Sequence, residues 1–374
     1  MKILFTGGGT GGHVNPALAI AHTFKKRQPT VQIAFVGTPN GIENKLVAKA
    51  GYPMHHINIQ GLKRSLSLSN FKTLYLTLTS VSKAKKLLKK ERPDCVIGTG
   101  GYVCYPLVKA ASKLGIPTAI HESNAIPGIA IKLLSPCVDM IFTDFEKTAE
   151  YIKKQYRDKI VHVGNPYFEN DDDITYESAR EKLGISGKYD HSILVYGGSL
   201  GASNINSNVV KWAAKRLKDN KRIKLTHATG ARGYEITVSE YNANGLGASD
   251  NIEILEYIYD MPVRMAAADV IVCRAGAMTL SELAMAGKPA ILVPYPYAAE
   301  NHQYKNAMVL QNAGAAVLIE DSALDENGLD EAISSVLNGK GKEMSEKIKQ
   351  FAMPDANEMI YENILKLINK NKAD

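Results

Sequence analysis

Three short stretches of this chain combine glycine-rich backbone with reactive side chains. The first, Gly7-Gly8-Gly9-Thr10-Gly11-Gly12-His13, sets five glycines and an imidazole between the β-rich run Ile3 to Phe5 and an apolar pattern of helical period. Without Cβ atoms, such a loop lets N–H groups close on an anion at the positive end of the following helix. It reads as a diphosphate-binding loop with a titratable ring beside it. The second stretch is His121-Glu122-Ser123-Asn124, which follows an apolar strand, while Gly98-Thr99-Gly100-Gly101-Tyr102 ends the strand before it. Their polar groups should emerge at the carboxyl edge of a parallel sheet, where such sheets bind ligands. The third runs from Cys273 through Arg274-Ala275-Gly276-Ala277-Met278-Thr279-Leu280-Ser281 to Glu282, again strand, small-residue loop and helix. It has two readings. A diphosphate could sit on the helix N-terminus with the Glu282 carboxylate accepting from ribose hydroxyls, or Thr279-x-x-Glu282 could be a capping box.

Other chemistries fit poorly. Gly7-x-Gly9-x-x-Gly12 matches the dinucleotide fingerprint, but the second strand ends Phe35-Val36-Gly37-Thr38 without the acidic residue that would hold a ribose. The nucleotide-triphosphatase ending Gly-Lys-Ser/Thr is missing, and His121-Glu122-Ser123-Asn124 is not the zinc motif His-Glu-x-x-His. The Asp171 to Asp173 run reads as a solvated acidic turn. None of the nine histidines stands four residues from another, so no metal site is expected.

The strands and helices that carry these groups follow a βαβ rhythm. Strands are expected at Ile3 to Phe5, Val31 to Val36, Met54 to Ile59, Asp94 to Ile97, Thr118 to His121 and Met140 to Thr143. Gly164-Asn165-Pro166 and the polar residues after it break the rhythm, which marks a domain boundary. It restarts at Ser192 to Tyr196, runs into Gly197-Gly198-Ser199-Leu200-Gly201-Ala202, and continues with strands at Ile223 to Ala228, Ile252 to Leu255, Val270 to Cys273, Ala290 to Pro294 and Ala316 to Ile319. The expected class is α/β, with two doubly wound parallel sheets.

A chain of 374 residues suits two domains of roughly 150 to 200 residues each. Its 45% apolar and 22% charged residues are those of an ordinary globular protein. Four scattered cysteines without Cys-x-x-Cys spacing point to a reduced, cytoplasmic setting. No signal peptide and no membrane-spanning window is expected. The net charge of +7 is unevenly placed, with nine Lys or Arg residues between Gly61 and Arg92 opposed only by Glu91. With no nucleic-acid-binding signature to accompany it, this cluster favours an anionic lipid surface over nucleic acid. Leu62, Leu66 and Leu68, set among Lys63 and Arg64, suit a surface that dips into headgroups. The apolar stripe Phe71, Leu74, Tyr75, Leu78 and Val81 is explained by packing on the sheet.

Taken together, Gly-Gly-Thr-Gly-Gly-His (8 to 13), Gly-Gly-Tyr (100 to 102), His-Glu-Ser-Asn (121 to 124), Gly-Asn-Pro (164 to 166), Gly-Gly-Ser-x-Gly-Ala (197 to 202), Cys-Arg-Ala-Gly-Ala-x-Thr-x-Ser-Glu (273 to 282) and His-Gln-Tyr-x-Asn-Ala (302 to 307) occur in order. The whole chain thereby resembles the MurG family of bacterial peptidoglycan glycosyltransferases. The resemblance implies a GT-B fold, two Rossmann-like domains facing across a cleft. An N-terminal acceptor and membrane-facing domain would span 1–163, a donor domain 164–353, and a last helix near 354–374 would return to the first. The implied reaction moves N-acetylglucosamine from UDP-N-acetylglucosamine to the muramoyl 4-hydroxyl of lipid I, with inversion, giving lipid II at the cytoplasmic membrane face, without cofactor or metal.

By the same resemblance, Ile258 would cover the uracil, Glu282 would hold the ribose, and Ser199 with Ala277, Met278 and Thr279 would hold the donor diphosphate. His302, Gln303 and Asn306 would read the sugar. Tyr102, His121, Glu122 and Asn124 would line the acceptor side with His13 as general base, Thr10, Gly11 and Gly12 would bind substrate, and Glu122 and Asn124 would be among the catalytic groups. An imidazole titrates near neutrality, which suits removing a hydroxyl proton. Ser123, Leu200 and Phe168 depart from the family's usual residues and carry no assigned role. The competing functions are a UDP-N-acetylglucosamine 2-epimerase of the same fold and a non-catalytic UDP-sugar sensor.

Overall fold

Hydrophobic runs buried on both faces make the central strands of this protein, and among the described residues the strands pair in parallel. The computed structural model describes residues 1–59, 69–168 and 174–373, with the side chains of 69–78 and 373 outside that description. The basic apolar stretch from Leu62 to Leu68, the stripe from Phe71 to Leu78 and the acidic turn Asp171 to Asp173 therefore lie outside the described residues or side chains. The chain divides into two units, Met1–Glu169 with Met353–Asp374, and Asn170–Ala352.

The first unit holds β1 (Lys2–Thr6), β2 (Gln32–Gly37), β3 (Met54–His56), β4 (Cys95–Gly98), β5 (Thr118–Glu122), β6 (Met140–Thr143) and β7 (Ile160–His162), in the order β3-β2-β1-β4-β5-β6-β7. The sequence pattern misses β7, a partly buried strand of three residues at the sheet edge. It also runs β3 on to Ile59, whereas pairing stops where Gly37 meets His56. The second unit holds β8 (His191–Tyr196), β9 (Ile223–Ala228), β10 (Ile252–Leu255), β11 (Val270–Cys273), β12 (Ala290–Leu292) and β13 (Ala316–Leu318), in the order β10-β9-β8-β11-β12-β13. Both are Rossmann-like sheets. In each, the first strand pairs with the fourth, so the strand order reverses between β1 and β4 and again between β8 and β11.

The period of two along β1 sorts its side chains into layers. Ile3 and Phe5 face α1 (Gly11–Arg27), while Leu4 joins Leu107 and Val108 of α4 (Cys104–Lys113) and Ala84 and Leu88 of α3 (Ser69–Glu91). Burying each large aliphatic or aromatic side chain contributes about 1.5–3 kcal/mol. The α1 helix closes on Lys25, Lys26 and Arg27, cations placed where the helix dipole favours them.

The helix Ala356–Ala373 packs in the same layer as α1, because Ile360, Ile364 and Ile368 recur at helical spacing and are all buried there. Tyr361 meets Phe24 at 4.9 Å between ring centroids, and Asn357 exchanges two hydrogen bonds with the backbone of Tyr167. Gly164, at φ +83°, makes room for the returning chain: a Cβ there would stand 2.3 Å from that of Met353.

Candidate active site

The reversal of strand order between β1 and β4 sets two turns side by side, Gly7 to Thr10 and Thr99 to Val103. Thr99 ties them together, its N–H donating to Thr6 O at 2.9 Å and its hydroxyl to His13 O at 2.6 Å. Thr10 takes the N-cap position of α1 in extended conformation, but its hydroxyl makes no cap bond and lies 3.2 Å from His13 Nδ1. Nδ1 is also 3.1 Å from Gly8 O. A carbonyl only accepts, so the contact with Gly8 O calls for the proton on Nδ1, the tautomer in which a neutral ring keeps its lone pair on Nε2. The half-buried imidazole lies against Gly100 and Gly101, both at positive φ. Tyr102 beside them is exposed, as are Thr10 and Gly12.

The β5 end is built differently. His121 is fully buried, with Nε2 2.9 Å from Gly164 O, and burial pushes its pKa down to about 4. It is a neutral histidine holding the sheet end to the Gly164 turn. Glu122 is also buried, and its carboxylate is engaged on both oxygens: Oε1 accepts from Asn124 N and Nδ2, each at 2.9 Å, and Oε2 from Gly128 N at 2.8 Å. Burial raises its pKa against the pull of those bonds. This carboxylate shapes the turn that leads into α5 (Ile129–Leu134) and carries Asn124.

In the second unit, the turn after β11 leads into the helix Ala277–Ala286, whose N-cap is Gly276. No side chain caps this helix and no acidic residue stands in its first turn. The capping-box reading of Thr279 and Glu282 is therefore overturned, since Thr279 lies inside the first turn and Glu282 in the second. The amides of Ala277, Met278 and Thr279 form an N-terminus suited to an anion. Glu282 makes no hydrogen bond among the described residues. Its side chain reaches solvent, yet the protein around it removes enough hydration to push the carboxyl up to about 7. It lies near the ends of β8 and β11, where its charge acts on Tyr196 and Cys273.

Ser199 is exposed in the turn after β8, where its carbonyl accepts from Ala231 N at 3.3 Å. The Ile258 side chain is buried, so the surface of that turn is its backbone with Tyr257 and Tyr259, which are 50% and 91% exposed. His302 opens the helix His302–Asn312 and donates from Nδ1 to Ala299 O at 2.7 Å. Gln303 Oε1 accepts from Tyr295 N at 2.9 Å, which leaves its amide as a donor, while Asn306 is buried. Just before this helix Glu300 and Asn301 hold φ at +52° and +55°, a conformation side chains seldom adopt and one that clusters at functional sites. Arg274 braces the same loop by donating to the Val293 and Pro294 carbonyls, each at 3.1 Å, and to Asp321. Sequence reasoning missed these braces and missed Glu43 beneath the first glycine turn. No spacing signal marks them, because the groups they brace, Gly9 for Glu43 and Val293, Pro294 and Asp321 for Arg274, are distant in the chain.

Residues 3–143 match the glycosyltransferase family 28 N-terminal domain, and residues 192–360 its C-terminal domain. A protein of Acetivibrio thermocellus called UDP-N-acetylglucosamine–N-acetylmuramyl-(pentapeptide) pyrophosphoryl-undecaprenol N-acetylglucosamine transferase is 42% identical over 375 residues, covering all of both chains. One of the same name from Desulforamulus reducens is 42% identical over 99% of this chain and 98% of its own. Among solved structures, that of Acinetobacter baumannii MurG superposes with a TM-score of 0.77 at 31% identity, covering 98% of this chain and 99% of its own.

Proposed function

Since the chain belongs to the family of MurG-type N-acetylglucosamine transferases, we propose a division of its reaction between the two units described above. The enzyme transfers N-acetylglucosamine from UDP-N-acetylglucosamine to the undecaprenyl-diphosphate-linked muramoyl peptide, lipid I, and forms lipid II. The donor belongs to the second unit. The observation that carries this assignment is the uncapped helix N-terminus at Ala277 to Thr279, followed one turn later by the unbonded carboxylate of Glu282. The first meets the diphosphate and stabilises it as it leaves; the second accepts from the ribose hydroxyls. Ser199 adds a hydroxyl to the diphosphate side, the Ile258 turn meets the uracil, and His302 and the Gln303 amide read the sugar. Asn306, being buried, supports that helix.

The acceptor belongs to the first unit. His13 takes the proton of the muramoyl 4-hydroxyl on Nε2 as that oxygen attacks the anomeric carbon, and the bond from that carbon to the diphosphate breaks with inversion. Thr10, Gly11, Gly12, Tyr102 and Asn124 face the acceptor, while His121 and Glu122 shape the turns that hold them. No cofactor enters this scheme.

Among the described residues no helix is long and apolar enough to cross a membrane. We place the enzyme on the cytoplasmic face through the layer of α3, α4 and α5, where Ile129 and Leu133 are 56% and 53% exposed beside the exposed Lys132. Exposed apolar side chains among cations fit an anionic lipid surface. The test of the whole reading is to supply labelled UDP-N-acetylglucosamine with a lipid I analogue. The labelled disaccharide on lipid is the expected product; free UDP with an epimerised sugar would overturn it.

A further inference from the structure

The peptide between Gly8 and Gly9 is hydrogen-bonded at both ends. Its N–H donates to Glu43 Oε2 at 3.3 Å, and its carbonyl accepts from His13 Nδ1 at 3.1 Å. Glu43 opens α2 (Glu43–Lys49) and is buried. Its other oxygen accepts from Thr38 N at 3.0 Å and Thr38 Oγ1 at 2.8 Å. Burial works against its ionisation, yet the bonds from Thr38, its own backbone and Gly9 outweigh burial and hold the carboxyl below its ordinary value. Gly8, Gly37 and Gly41 close around it, since a Cβ on each would come within 2.8, 2.7 and 2.1 Å of its side-chain atoms. An ionised carboxylate has been built in directly beneath the loop that carries the imidazole.

We propose that Glu43 is a positioning residue for His13, acting through the Gly8–Gly9 peptide to keep the proton on Nδ1 and the proton-accepting lone pair on Nε2. The inference rests on the reading of His13 as general base. A negative charge at the N–H end polarises the amide and strengthens its carbonyl as an acceptor, most of all when the ring becomes imidazolium. During transfer the hydroxyl proton moves to Nε2, the new bond to the anomeric carbon forms and the bond to the departing diphosphate breaks. The Nδ1 proton stays on the ring and Glu43 stays ionised. The arrangement does the work of the aspartate in a Ser-His-Asp triad with one peptide interposed. Because Gly9 N–H is committed to Glu43, the anion-binding amides of this loop are those at the start of α1. Among the described residues, titratable groups near the pair include Tyr102, whose ring lies 3.5 Å from a Cβ placed on Gly9, and His56, whose Nε2 is 2.6 Å from Oδ1 of Asn44 beside Glu43.

Nitrogen-15 NMR of histidine-labelled full-length protein, with His13 identified by its loss in His13→Ala, reads the tautomer directly. The Nδ1–H form is expected at neutral to slightly alkaline pH, and an Nε2–H form overturns the proposal. In Glu43→Gln the amide must set a donor against either Thr38 N–H or Gly9 N–H. Transfer kcat should fall about tenfold with the KM for UDP-N-acetylglucosamine changed less than about twofold. The His13 titration should move down by about half a unit or more, together with the acid limb of the rate. A lower kcat with an unmoved His13 titration would reduce Glu43 to a brace for the loop and overturn the relay. If Glu43→Gln does not fold, the tautomer of the unsubstituted protein still decides. A normal kcat in His13→Ala would remove the base reading alone, since tautomer and titration report on the relay whether or not His13 reacts.

Discussion

A Cβ on Gly100 would stand 2.6 Å from Cδ2 of His13, at a backbone φ of +105°. Alanine at this position meets the ring and the strain together, about 1–3 kcal/mol for the backbone alone. Gly100→Ala should therefore displace the imidazole, lower kcat by about tenfold or more, and reduce the melting temperature by a few degrees. With the donor assigned to the second unit under the proposed division, UDP-N-acetylglucosamine should bind as before in calorimetry. A lower melting temperature with unchanged kcat would show that the ring's position is not critical.

Removing the ring altogether separates base chemistry from binding. His13→Ala should lower kcat by roughly 10²–10⁴, while the Kd of UDP-N-acetylglucosamine stays within a few-fold of the unsubstituted enzyme. Steady-state kinetics with a soluble lipid I analogue, paired with donor titration, make the measurement. A loss confined to KM would move His13 from the base to the binding of the acceptor.

His121 makes a prediction about stability and pH. Its pKa is pushed down to about 4 in the folded chain, so between there and its unfolded value near 6.5 the unfolded chain binds more protons. Stability accordingly falls as pH drops through that window, by an amount on the order of 3 kcal/mol at its acid end. His227 adds a loss of the same sign, its pKa lowered to about 3 by burial. Melting temperatures followed from pH 6.5 to pH 4 should decline, and His121→Gln should decline less steeply. An equal slope would mean that His121 is protonated without cost.

The parallel sheets could be read from sequence because strands buried on both faces run as Val- and Ile-rich segments between helical patterns. Ile160–His162 escaped because three partly buried residues at an edge carry no periodicity. Thr279-x-x-Glu282 has the spacing of a capping box, but spacing does not say where the first turn begins. Gly276 begins it three residues earlier. Glu43 was invisible for another reason: it stands 34 residues from Gly9, and pairing of β1 with β2 brings them together. Local pattern finds elements and glycine turns, whereas the groups that brace those turns come from tertiary pairing.

The exposed apolar pair on α5 can be tested apart from catalysis. Ile129→Ser with Leu133→Ser should weaken binding to vesicles containing anionic phospholipid, by about 1 kcal/mol or more for each side chain withdrawn from the headgroup layer. Turnover of a water-soluble acceptor should hold. Co-sedimentation at two salt concentrations reads the electrostatic share, since the contribution of nearby lysines is screened by salt. Unaltered sedimentation would assign membrane contact to another surface.

Glu282 offers the sharpest test of the donor site, because its structural alternative is gone: it caps no helix and makes no hydrogen bond among the described residues. Glu282→Gln keeps the shape but exchanges one of two acceptor oxygens for a donor amide. Donor affinity should weaken by roughly 1.5–3 kcal/mol if a charge-assisted bond to the ribose is lost, about a 10- to 150-fold rise in Kd. The melting temperature should hold or rise slightly, since the substitution removes a poorly hydrated charge. The pH dependence has a definite sign. With the carboxyl pushed up to about 7, protons compete for it near neutrality, so donor affinity should weaken as pH falls through about 7 and strengthen above it. In Glu282→Gln that dependence should flatten. Calorimetric titration with UDP-N-acetylglucosamine from pH 6 to pH 8 makes the comparison. If both proteins bind equally well and equally flatly across that range, the ribose is held elsewhere and Glu282 has no part in donor recognition.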